Sequence, residues 1–320
     1  MLHLNLRAAE RCDRLAHDRD ALGVGVSTSA SGTRLIDCGV SVSGGLEAGR
    51  RLAEICMAGL GRVQFVPSNL EFTSGLAVLT STDQPVAACM AAQYAGWQIA
   101  SGKYFAIGSG PMRAAAAKEP LFEKIGCTEK PEVAVGILET RTVPPDELCR
   151  DLAGQCGVKP DKLTLLLAPT ASLAGGVQIV ARTVETALHK LVELEFDLQR
   201  VASGFGTAPL PPVSADDVAA IGRTNDAILY GGEVTLYVRG DDESLEAIGP
   251  RVPSGASSDH GQPFLTIFER YHRDFYQIDP HLFSPATVTF SNLDTGHTFS
   301  FGHTLPRVIH ESFDVRQIRP

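Results

Sequence analysis

The stretch LTLLLAPTASLAGGVQIVARTVETALHKLVELE, residues 163–195, decides the fold class. Leu163 to Leu167 is an apolar run of strand length and reads as a buried strand. Small and turn-forming residues from Pro169 to Gly176 follow, and a helical pattern then runs to Glu195. Val177, Val180, Val184, Leu188 and Leu191 recur at three- and four-residue spacing, which makes one apolar stripe on that helix. At 100° per residue, Arg182, Glu185 and His189 fall beside the stripe. A guanidinium, a carboxylate and an imidazole on one narrow face form a candidate acid/base site. An Arg and a Glu three apart are also the ordinary material of a solvated pair worth a few tenths of a kcal/mol. Spacing alone leaves both readings open, and His189 can equally be a packed flank residue.

Upstream of this stretch the pattern predicts a helix over 6–17, a strand over 33–38, a helix over 46–58 and strands over 63–66 and 76–80. Pro85 opens an Ala-rich helix expected to reach about residue 100. A strand over 104–107 runs into Gly108-Ser109-Gly110-Pro111, with a helix expected from Met112. Glycines there let a ligand approach the backbone, and a helix start favours anions; a plain strand-to-helix turn fits as well. Residues 118–132 are charged and irregular, and a strand over 133–138 and a helix opening at Pro144-Pro145 follow.

Downstream, Val201 to Pro212 is punctuated by Gly and Pro and reads as an ordered loop. Ser214 is placed to cap a helix from Ala215. Glu233 to Val238 alternates as a strand, Phe264 to Phe275 reads as an aromatic-rich helix, and Asp294-Thr-Gly296 turns a hairpin between 287–291 and 297–301. Helices and strands thus alternate through the first two-thirds, and a β-hairpin closes the chain. The expectation is an α/β (mixed α+β) fold with two lobes enclosing an open cleft, residues 1–130 and 131–320, with discontinuous lobes as the alternative.

With 320 residues, 44% hydrophobic and 20% charged, a substantial core is available and disorder is not indicated. The net charge of −9 is spread along the chain, which argues against a nucleic-acid partner, since that calls for a basic stripe. Seven cysteines, at 12, 38, 56, 89, 127, 149 and 156, form no CxxC pair and read as small buried hydrophobes in a reducing compartment. The N-terminus has no apolar signal-peptide core, and the long uncharged run 163–181 is broken by Pro169 and Gly175-Gly176. A cytoplasmic protein without a membrane partner is expected.

No GK[ST] follows the glycine loop at 108–110, and the third glycine of a dinucleotide fingerprint is missing. Six of nine histidines lie beyond residue 259 in no recognised ligand spacing, so no metal site is assigned. No GxSxG elbow and no nucleophile cysteine motif is present. What remains is a helical Arg182/Glu185 pair among small-residue loops, equipment suited to proton transfer to or from water.

Five segments then coincide in order with one family: YFAIGSGPMRA (104–114), ARTVETALHKL (181–191), ASGFGTAPLPP (202–212), GRTNDAILYGGEVTLYV (222–238) and FYQIDPHLFSPA (275–286). Over nearly the whole chain the sequence resembles methenyltetrahydromethanopterin cyclohydrolase. The resemblance implies hydrolysis of the methenyl bridge of a tetrahydropterin one-carbon carrier, or its dephospho form, to the formyl derivative, without metal or redox cofactor. It implies a cytoplasmic homo-oligomer, commonly a trimer, and a place in formaldehyde oxidation in methylotrophs. The family's catalytic Arg and Glu match Arg182 and Glu185. Glu185 is then the general base and acid, and Arg182 orients and tunes it. A neighbouring guanidinium favours the carboxylate and burial opposes it. Further candidates for substrate contact are Gly108, Ser109, Gly110 and Pro111, with Arg113 near the polar tail. Lys103, Thr207, Ala208, Pro209, Thr224, Asn225 and Asp226 complete the set. The rival reading is a pterin- or anion-binding protein that keeps the cleft without the chemistry.

Overall fold

The computed structural model describes residues 2–68 and 75–314. It opens with helix α1 (Leu4–His17), a helical turn α2 (Arg19–Leu22), strands β1 (Gly25–Thr28) and β2 (Arg34–Asp37), helix α3 (Leu46–Cys56), and strands β3 (Gly61–Pro67) and β4 (Leu76–Thr82). A π-helical segment, Val86–Gln93, leads to the hairpin of β5 (Trp97–Ser101) and β6 (Tyr104–Ser109). Next come α4 (Met112–Ala116), α5 (Leu121–Ile125), β7 (Ala134–Glu139), α6 (Asp146–Gln155), β8 (Leu163–Ala168) and α7 (Leu173–Val180). The rest is α8 (Thr183–Glu193), β9 (Val201–Pro209), α9 (Asp217–Gly231), β10 (Glu233–Val238), α10 (Asp242–Ile248), α11 (Phe264–Arg270), β11 (Thr287–Asn292), β12 (Thr298–Gly302) and α12 (Pro306–Phe313).

The chain divides into two compact units, each made of two separated stretches. One comprises Met1–Val63 with Val86–Ile179, the other Gln64–Pro85 with Val180–Pro320. The division is not near residue 130, because β7 lies between β6 and β8 in one sheet and keeps both sides of that point in the first unit.

In the first unit six strands lie in the order β1-β2-β8-β7-β6-β5. Strands β2, β8 and β7 run parallel, and the outer pairings are antiparallel. Both faces of the centre are covered. Leu163, Leu165 and Leu167 of β8 pack with Leu148 and Leu152 of α6. Leu166 and Ala168 point the other way, into a core with Leu15 of α1 and Leu52 of α3. A strand buried on both sides has no need of alternation, which is why β8 reads as a continuous apolar run.

In the second unit the strand order is β12-β11-β10-β9-β4-β3, with β10 and β11 parallel. Helix α8 lies on β9, and the contact explains that strand's composition. A Cβ on Gly204 would stand 2.6 Å from Val184 Cγ1, and one on Gly206 3.2 Å from Val184 Cγ2. The glycines of Val201 to Pro209 therefore mark a close helix–strand approach inside a central strand, where a loop was expected.

Other expectations are corrected in the same way. The Ala-rich helix after Pro85 stops at Gln93, and Trp97–Ser101 is a strand hydrogen-bonded to β6. The helix of the opening stretch is two helices. At the break Thr80 Oγ1 donates to the Ala181 carbonyl (3.0 Å) and Thr183 Oγ1 to the Val180 carbonyl (2.7 Å), so carbonyls freed from the helical ladder stay bonded. Asp216, not Ser214, caps α9, accepting the Ala219 amide at 2.9 Å. The hairpin stands as expected but α12 follows it. The cysteine reading agrees with the structure: all seven are free and six are buried, and burial pushes the Cys12 and Cys156 thiols up to about 12. Among the described residues no helix is long and apolar enough to cross a membrane.

Candidate active site

Arg182 is the N-cap of α8 and Glu185 sits in its first turn, one helical turn on. Both are buried, at 6% and 5% exposure, so this is not a solvated surface pair. The Arg182 carbonyl accepts both the Thr186 amide (2.8 Å) and the Thr186 hydroxyl (2.9 Å), which holds the first turn closed. Backbone N–H groups at a helix start favour a negative charge, so the position suits a carboxylate that must change protonation in a dry setting. Thr207, Ala208 and Pro209 lie at the end of β9, just beyond the two glycines under Val184. Helix α8 and β9 thus bring Arg182, Glu185 and residues 207–209 into one region of the second unit. His189 is half-buried on the helix flank, its Nε2 3.8 Å from Glu193.

The triplet Thr224, Asn225 and Asp226 is turned elsewhere. Thr224 Oγ1 donates to the Ala220 carbonyl (2.9 Å) and Asn225 Nδ2 to the Ile221 carbonyl (2.8 Å), both back into α9. Asp226 is fully buried and accepts the Phe264 amide at 2.7 Å, capping α11 from below. Burial pushes its carboxyl from an ordinary 3.8 up to about 7, against the Ser312 hydroxyl and the Phe264 amide, which favour the charge. Because the folded value is raised, the folded state holds an extra proton between about pH 4 and 7. Stability is then full below about pH 4 and falls by on the order of 4 kcal/mol as pH rises to 7. Asp226→Asn should flatten that slope in urea titrations across pH 4–8 and be the more stable protein above pH 7. An unchanged slope would remove Asp226 as its cause.

The remaining candidates belong to the first unit, and the structure separates them. Lys103 is exposed in the β5–β6 turn, whereas Gly108 to Pro111 follow at the far end of β6, about 20 Å away along a strand. A Cβ on Gly108 would stand 2.6 Å from Ile99 Cδ1, and one on Gly110, at φ +90°, 2.6 Å from Ile137 Cδ1. These glycines make room for the core. Ser109 is buried, its hydroxyl 3.4 Å from Cys56 Sγ, and the Pro111 carbonyl accepts a hydrogen bond from Asn5 Nδ2 at 2.9 Å. Arg113 corrects the expectation most sharply. It has no exposed surface: its guanidinium is paired with Glu119, donates to the Met90 carbonyl at 2.8 Å, and lies over the rings of Tyr94 and Phe122. The cation is consumed inside the fold and is not available to a substrate tail.

The family model described as Cyclohydrolase (MCH) matches residues 3–313. The chain belongs to this cyclohydrolase family. It is 48% identical over 301 residues to a methenyltetrahydromethanopterin cyclohydrolase of Xanthobacter autotrophicus, covering 94% of this chain and 89% of that protein. It is 42% identical to the protein of the same name from Methylobacterium organophilum over 314 residues, 97% of each chain. An equal identity over 316 residues relates it to the one from Methanospirillum hungatei, 98% of this chain and 99% of that one.

In this member of the cyclohydrolase family two polar groups stand out that the sequence reading did not single out. Lys190 of α8 is fully buried, donating to the His281 carbonyl at 2.7 Å with His281 Nδ1 3.0 Å away, and burial lowers its pKa to about 8. In the first unit, Glu139 ends β7 and accepts Gln178 Nε2 at 3.2 Å, at the carboxyl end of parallel strands where α/β sheets place ligands. The available signal was positional: a charge inside an apolar helix face, and a carboxylate closing an apolar strand. Among the described residues no three His, Cys, Asp or Glu side chains converge as a metal ion would need.

Proposed function

We propose that this chain hydrolyses the methenyl bridge of tetrahydromethanopterin, or of its dephospho form, to the formyl derivative, as one step of formaldehyde oxidation. The observation that carries the reading is the burial of Arg182 and Glu185 together at the start of α8 in a chain of this family. The methenyl carbon is part of a cationic amidinium and is electrophilic as it stands, so the reaction calls on no metal or redox cofactor. Glu185 takes one proton from water as its oxygen bonds to that carbon, giving a neutral carbinolamine. The C–N bond to the departing nitrogen then breaks. Glu185 returns its proton to that nitrogen and accepts the hydroxyl proton as the formyl C=O forms. One proton leaves to solvent overall, which balances the lost cation. Arg182 holds the carboxylate in line through these transfers. The protein works in the cytoplasm as a homo-oligomer, a trimer by likeness to the family.

The test is decay of the methenyl chromophore on adding purified protein, with tetrahydromethanopterin and tetrahydrofolate substrates side by side. Fast decay of the methanopterin form alone supports the reaction and the carrier together. Binding without acceleration of either would make the protein a receptor and overturn the proposal.

A further inference from the structure

A groove of about 590 Å³ in the first unit is walled by α1, α3 and the start of β3. Its charges do not balance. Asp13 accepts Arg34 at 2.6 Å, Asp18 accepts Arg51 at 2.6 Å, and Glu54 accepts Arg50 at 2.9 Å. Each carboxylate of the wall therefore has an arginine partner, and Arg50 and Arg51 are shared with Glu47. Three lining guanidiniums, those of Arg11, Arg14 and Arg62, have no ion-pair partner among the described residues. Arg14 and Arg62 are exposed. Arg11 is half-buried and donates to a neutral acceptor, the Gly59 carbonyl, at 3.1 Å. Its seat is shaped for it: a Cβ on Gly59, at φ +64°, would stand 2.2 Å from the guanidinium carbon. Burial lowers the pKa of Arg11, and Arg7, Arg14 and Arg62 lower it further, against the pull of Glu54. In a chain of net charge −9, cations without ion-pair partners gathered around one concavity make it attractive to an anion.

The geometry points to a binding site for a compact diphosphate group, held by Arg11, Arg14 and Arg62. Guanidinium forks match phosphate oxygens two at a time, and three of them exceed what a single phosphate uses. The volume is that of a small-molecule site. Among the described residues no aromatic ring other than His17 lines it, so a nucleobase or pterin finds little to stack on and the phosphates carry the recognition. The overall negative charge disfavours an extended nucleic acid. This site is independent of the proposed hydrolysis and is read without its substrate.

Calorimetry of the full-length protein at low salt tests it with inorganic pyrophosphate, orthophosphate, ADP and AMP. Pyrophosphate should bind at least about tenfold more tightly than orthophosphate, and Arg14→Ala with Arg62→Ala should weaken it at least about tenfold. ADP binding like pyrophosphate assigns the site to the diphosphate of a larger molecule. Pyrophosphate binding without ADP assigns it to the free anion; both support the inference. Equal binding of pyrophosphate and orthophosphate, equal binding of ADP and AMP, or binding untouched by the double substitution would overturn it.

Discussion

Glu185→Gln should lower kcat for the methenyl substrate by roughly 10²–10⁴-fold, the ordinary worth of a positioned general base. Glutamine keeps the size and the hydrogen-bonding reach of the side chain, so substrate affinity should stay within about threefold and the loss should fall on turnover. Arg182→Lys keeps the charge and loses the planar fork, and is expected to cost less turnover than Glu185→Gln because it disturbs orientation alone. Single-turnover decay of the chromophore separates the two effects. The opposing result is well defined. If turnover survives, Glu185 is an ordinary acidic residue in the first turn of α8, worth about 0.3–1 kcal/mol to the helix, and a small loss of stability is all the substitution would show.

Arg113→Ala should destabilise the first unit by about 3–5 kcal/mol, because it leaves a largely buried carboxylate, Glu119, without its cation. The same substitution removes a cation lying 4.9 Å from the Tyr94 ring centre and 5.3 Å from that of Phe122. Trp97 is the only tryptophan of the chain and stands in β5 of the same unit, so its fluorescence follows the relevant unfolding in urea. The double variant with Glu119→Ala should lose less than the two single variants together, the sign of a direct pair. Unchanged stability with a raised KM would return Arg113 to the substrate.

How far the sequence speaks depends on what surrounds each segment. Strand β10 and the turn at Asp294-Thr-Gly296 carry their own signals, alternation and turn chemistry, and their positions agree with the reading. Strand β9 was illegible for a physical reason: Gly204 and Gly206 look like loop residues until Val184 is seen resting on them. The break between α7 and α8 contains no Gly or Pro and rests on hydroxyls from Thr80 and Thr183, the first of them 101 residues distant. Of the candidate site, the Arg182/Glu185 spacing was readable but its burial was not. Arg113 misled for the converse reason, since its partners Met90, Tyr94 and Glu119 announce nothing in the chain.

The interleaving of the two units bears on how the chain is made. Strand β4 emerges from the ribosome early, beside β3, yet its other sheet neighbour is β9. Ser203 at that pairing donates to Asp83 across 120 residues of sequence, so at about 5–20 residues per second the earlier strand waits on the order of ten seconds for its partner. Meanwhile the first unit cannot close until β8 and α7 have been translated. The first unit can therefore close only once residue 179 has been written, and the second only when β9 and the strands after it have followed, so a nascent chain stalled near residue 150 would expose unpaired strand edges from both sheets at once.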